Sequence, residues 1–118
     1  MMDNYEAYLP HIDAAEGIKR IMNNKKLYIT MLGRFKVRQM ADEVMEAIKS
    51  GDHERIVFAA HAIKGTSGNL GFPTLSKLSG EMEVLAKQEQ DASHLVPQLG
   101  ELVAVVIDAI ADFVAKES

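Results

Sequence analysis

DHERIVFAAHAIKGTSGNLG, residues 52–71, reads as a helix with two unlike faces. Each residue turns an α-helix by about 100°, so Lys64, Gly65 and Gly68 share the face of His61. The other face, reached through Ile56, Ala59, Ile63, Thr66 and Leu70, is largely apolar. Asp52 can cap the first turn with its carboxylate, and Gly71 can close the last by taking a left-handed conformation. A helix of this kind buries one stripe and presents an imidazole on the other. Each interior glycine costs ~1 kcal/mol relative to alanine. Two of them beside a histidine imply that something large comes close to that surface.

Working outward, the same period recurs. Asp13 and Glu16 have capping-box spacing and start a short helix over about residues 13–22, which Asn23-Asn24 ends. Leu27, Met31, Leu32, Phe35, Met40, Val44, Met45 and Ile48 follow at steps of three and four, so one long helix is expected over about 25–49, running through Gly33 and ending at Ser50-Gly51. Pro73 suits the first turn of a helix over 73–89, with Leu75, Leu78, Met82 and Leu85 on its buried stripe. After the polar break of residues 88–93, capped by Asp91 or Ser93, the last helix spans 93–116 and lines up Leu95, Leu99, Leu102, Val106, Ile110 and Phe113. No segment alternates as a strand would. The expected fold is all-α, an up-down-up-down four-helix bundle with a short additional N-terminal helix.

The chain of 118 residues, 47% hydrophobic, is the size of one domain with a single core. Thirteen basic and 17 acidic residues leave a net charge of -4, which offers no footprint for nucleic acid or anionic lipid. Cysteine is absent, so thiolate chemistry and disulfides are excluded. The segment MMDNYEAYLPHID lacks the basic and apolar runs of a signal peptide. Residues 95–114 are interrupted by Glu101, Asp108 and Asp112, which are costly inside a bilayer. A cytoplasmic monomer without membrane insertion is expected.

The run His61-Ala-Ile-Lys64-Gly65-Thr-Ser-Gly68-Asn69-Leu-Gly71 resembles the motif of histidine-containing phosphotransfer (HPt) domains of multistep two-component relays. The flanking stretches IDAAEGIKRIMNNKKLYITMLGRF and FPTLSKLSGEMEVLAK look like the neighbouring helices of such domains, so the resemblance covers nearly the whole chain. It implies a carrier that takes a phosphoryl group on His61 from a receiver-domain aspartate, or from a histidine kinase, and passes it to another receiver. The Mg²⁺ of that chemistry would belong to the receiver, and the carrier would need no cofactor or metal of its own. The resemblance also implies a docking surface around the histidine, to which Val57 and Phe58, Gly65, Gly68, Asn69 and Gly71 are assigned. Some relatives carry a Gln near the imidazole at the position that is Glu83 here. A carboxylate there can orient the ring by accepting its N–H, and would repel a phosphoryl group if too close.

The chemistry of the residues agrees. A neutral imidazole holds a free lone pair on one ring nitrogen and can attack phosphorus. Lys64, one turn on, supplies a compact cation for the oxygens of the product. No GxxxxGK[ST] loop or glycine-rich nucleotide fingerprint is present, so the donor must be another protein and the chain is a phosphorylated carrier rather than a turnover enzyme. His11, His53 and His94 lack such a context and read as surface or boundary residues. Two other readings compete. A histidine-kinase dimerisation helix pair usually has an acidic residue after the histidine, where this chain has Ala62. A helical adaptor that binds partners without phosphotransfer would tolerate loss of His61.

Overall fold

The computed structural model describes Tyr5 and residues 11–118, and among them every regular element is helical. The helices are α1 (Ala14–Arg20), α2 (Lys25–Arg34), α3 (Val37–Ser50), α4 (His53–Leu70), α5 (Pro73–Lys87) and α6 (Val96–Glu117), with one 3-10 turn at Ser93–Leu95. Helices α3 to α6 pack in a ring in which α3 meets α4, α4 meets α5, α5 meets α6 and α6 returns to α3. The helix α1 lies against α4, and α2 against α6.

The turns use the expected chemistry. The Asp13 carboxylate accepts from the Glu16 amide, Asn24 from Leu27 and Asp52 from Arg55, each three residues on. Gly51 and Gly71 end α3 and α4 in left-handed conformations, where a Cβ would be strained. Pro73 stands in the first turn of α5.

The long helix expected over 25–49 is two. Arg34 ends α2, Phe35 takes an extended backbone, and α3 begins at Val37. The cause is tertiary: Phe35 is only 8% exposed and packs at a tilt against the fully buried Phe72 with ring centroids 5.6 Å apart. Driving that ring into the core outweighs continuing a helix already weakened by Gly33. The last helix also begins later than expected, at Val96, because residues 93–95 form the 3-10 turn in which Asp91 accepts from the amide and hydroxyl of Ser93.

The core holds Tyr28, Leu32, Ile63, Phe72, Leu75, Leu78, Met82, Leu99, Val103 and Phe113. On α6 Val103, rather than Leu102, is fully enclosed; on α4 the buried line is Ile56, Ala60, Ile63, Ser67 and Leu70. Two of its members, Ala60 and Ser67, stand one residue after the expected Ala59 and Thr66, a rotation of the stripe within one helical face. The buried Tyr28 hydroxyl donates to the Leu70 carbonyl over 2.6 Å, satisfying an end of α4 that has no intrahelical partner. Burial, and then the charge of Asp13, pushes that phenol well above its usual range. No described helix is long and apolar enough to cross a membrane.

Candidate functional site

His61 stands midway along α4 with 68% of its side chain exposed. The buried line of α4 holds the opposite face, so the ring is turned outward by the amphipathic pattern itself. Across the α4–α5 contact lies Glu83, of which the side chain is 4% exposed. Its Oε2 is 2.7 Å from His61 Nδ1 and 3.5 Å from Lys87 Nζ, and its Oε1 is 3.2 Å from Lys64 Nζ. A buried carboxylate thus has three partners, one imidazole and two ammonium groups.

The balance of forces on Glu83 is legible. Burial pushes its carboxyl up, but hydrogen bonds to Lys64 and His61 and the charges of Lys64 and Lys87 outweigh it, so the group lies below its ordinary value. Ionised at neutral pH, Glu83 can only accept. The hydrogen in the 2.7 Å contact is therefore on His61 Nδ1, and in the neutral ring the lone pair is on Nε2.

Lys64 reaches Glu83 by laying its stem across α5, with its Cδ 3.6 Å from where a Cβ on Gly80 would stand. Gly65 has open space around its α-carbon. Phe58, one turn before His61, is 80% exposed, while Val57 is half-buried against the small cluster of Ala47, Ile56 and Ala86. Together with Glu54, Ala62 and Lys87 they rim a shallow groove beside the imidazole.

The other assigned residues lie further off. Gly68 is two turns from His61, and half-buried: a Cβ there would sit 3.3 Å from Ser76 Oγ, which itself donates to the Lys64 carbonyl. Its α-carbon faces α5, where an added Cβ would press on that hydroxyl. Its carbonyl also accepts from Arg20. Asn69 is exposed. Gly71, ~15 Å along the helix axis from His61, is buried where a Cβ would collide with the Asp13 carbonyl. It joins α1 to α4 and stands apart from the imidazole. Lys87 and Gly80 were not singled out by sequence. The i,i+4 spacing of Lys87 from Glu83 was a usable signal for the first, and a glycine interior to a helix for the second.

The family model described as Hpt domain matches residues 35–113, which take in α3, α4, α5 and most of α6, with His61, Lys64 and Glu83. The chain belongs to the Hpt domain family. It is a phosphorelay carrier of two-component signalling. Among solved structures, histidine-containing phosphotransfer protein B (HptB) from Pseudomonas aeruginosa PAO1 is 23% identical, with a TM-score of 0.83 over 93% of this chain and 99% of that one. The HPT domain of a sensor hybrid histidine kinase from Shewanella is 18% identical, with a TM-score of 0.70 over 90% of this chain and 92% of that one. At these identities the likeness is one of fold. No curated protein matches the chain. Within the four-helix ring of α3 to α6, α4 and α5 are the pair that holds His61 against Glu83.

Proposed function

We propose that His61 is the phosphoacceptor of this Hpt domain and that Nε2 is the reacting atom. The observation that carries this reading is the exposed ring whose Nδ1 is engaged by Glu83. The Nε2 lone pair attacks the phosphorus of an aspartyl phosphate on a receiver domain. The N–P bond forms as the P–O bond to the aspartate breaks, and the carboxylate leaves with its electron pair. The reverse sequence hands the group to the next receiver. Lys64 turns from Glu83 toward the phosphoryl oxygens and offsets their charge. Gly65 leaves room beside it. Phe58, with the edge of Val57, supplies the apolar contact on which the receiver sits; an exposed aromatic ring next to a reacting atom is a strong anchor for a partner.

The Mg²⁺ of the reaction is expected on the receiver; among the described residues no group of three or more acidic or histidine side chains is placed to hold a metal. The reading takes the whole chain as one cytoplasmic, monomeric carrier domain, phosphorylated and dephosphorylated rather than turning over a small molecule, and served by receivers and a hybrid histidine kinase. The test is incubation with a receiver domain charged by acetyl phosphate, followed by intact mass. One acid-labile phosphoryl group, lost in His61→Ala, is the expected result. A stable mass gain, or one retained in His61→Ala, would refute the assignment.

A further inference from the structure

Glu83 shares its two oxygens unequally. Oε1 faces Lys64 alone, while Oε2 is held by His61 Nδ1 and by Lys87, one turn further along α5. If Lys64 moves to a phosphoryl group on Nε2, Oε1 loses its partner. A carboxylate 97% enclosed, beside a newly arrived anion, would then rest on the imidazole and Lys87 alone. Charge accounting shows what Lys87 adds. Before transfer, one carboxylate, two ammonium groups and a neutral ring leave one net positive charge. A phosphoryl dianion on a ring that keeps its Nδ1 hydrogen brings the cluster to neutrality. Without Lys87 the same step would run from neutral to negative, around a group that cannot escape to solvent.

We propose that Lys87 is a positioning residue that holds Glu83 against His61 so that Lys64 is free to leave for the phosphoryl group. This rests on His61 being the phosphoacceptor. The proposed role runs through the carboxylate: Lys87 keeps Oε2 charged and in place, Oε2 keeps Nδ1 protonated, and Nε2 keeps its lone pair before transfer. The ionisable groups facing this cluster are Lys64 and His61 from α4 and Lys87 from α5, with Glu54 at the groove's rim. Lys87 is 61% exposed at its side chain, so its replacement leaves the core intact.

Potassium phosphoramidate tests this directly, since it donates to an imidazole with formation of N–P, cleavage of its own P–N bond and release of ammonia. Uptake on His61 is followed by intact mass in the full chain, Lys87→Met, Lys87→Arg, Glu83→Gln and the double Glu83→Gln/Lys87→Met, with the tautomer of the His61 ring read by ¹⁵N NMR at one fixed pH. Lys87→Met should slow uptake about fivefold, a usual coupling for residues sharing one ionic network, and should lower the share of neutral rings that carry their hydrogen on Nδ1. Lys87→Arg should restore both. In the Glu83→Gln background the same Lys87→Met change should alter the rate less than about twofold, because the carboxylate it serves is gone. An equal loss in both backgrounds would mean that Lys87 acts on the phosphoryl group directly, and would overturn the proposal. So would a Lys87→Met rate equal to that of the unaltered chain. Failure of the unaltered chain to gain an acid-labile phosphoryl group on His61 would instead remove the phosphoacceptor assignment itself.

Discussion

His61 Nδ1 lies 2.7 Å from Glu83 Oε2, so a ring that is mostly exposed is oriented by a carboxylate that is almost wholly enclosed. The enclosure matters because it makes the carboxylate depend on its partners. Those partners, His61, Lys64 and Lys87, all face solvent.

That dependence predicts a pH response. The Glu83 carboxyl lies below its ordinary value in the folded chain: burial raises it, and the hydrogen bonds and charges of Lys64, His61 and Lys87 prevail. A group lowered on folding contributes stability that is present above its unfolded value and is lost as pH falls through the folded one. The domain should therefore lose stability on acidification below the usual carboxylate range. Glu83→Gln should reduce that loss. Urea unfolding of both proteins at pH ~7 and at pH ~3 measures it; parallel pH slopes would show that Glu83 contributes nothing.

His61→Ala should abolish phosphorylation and keep the fold. It also removes one of three partners of Glu83, so the domain should lose about 1 kcal/mol, less than a fully buried charged pair would lose because solvent reaches the ring. Intact mass and urea unfolding read the two effects. Unfolding of the variant at room temperature without denaturant would mean that His61 carries more of the structure than its exposure allows.

Phe58→Ser should leave stability within about 0.5 kcal/mol, since an exposed side chain is being removed. It should leave phosphorylation by phosphoramidate unchanged and slow transfer from a charged receiver domain. Equal receiver transfer rates in the variant and the unaltered chain would exclude Phe58 from the docking surface.

Gly68 tests which of two reasons keeps it a glycine. Gly68→Ala gains helix propensity of up to ~1 kcal/mol, yet its Cβ would stand 3.3 Å from Ser76 Oγ, a hydroxyl committed to the Lys64 carbonyl. The substitution should be near neutral alone and stabilising in a Ser76→Ala background. Unfolding free energies of the four proteins give the coupling. Strict additivity would return Gly68 to the cleared docking face expected from its spacing.

Much of this protein is legible in its residues alone. The three- and four-residue period with its caps marks α1, α4 and α5 nearly to their ends, because each helix carries its own apolar stripe and its own start or stop signal, Asp13 and Asn23-Asn24 for α1, Asp52 and Gly71 for α4 and Pro73 for α5. His61, Lys64 and Gly65 are set on one face by helical geometry, which needs no partner helix. Three things waited for the tertiary structure. The break at Phe35 follows from a ring packing against Phe72, thirty-seven residues away in sequence, and no local propensity encodes that contact. The inward turn of Gly68 and the burial of Gly71 depend on where Ser76 and Asp13 come to rest. The state of Glu83 is set by burial between α4 and α5 together with two lysines from different helices. Periodicity places a residue on its own helix; only packing decides what faces it across the next.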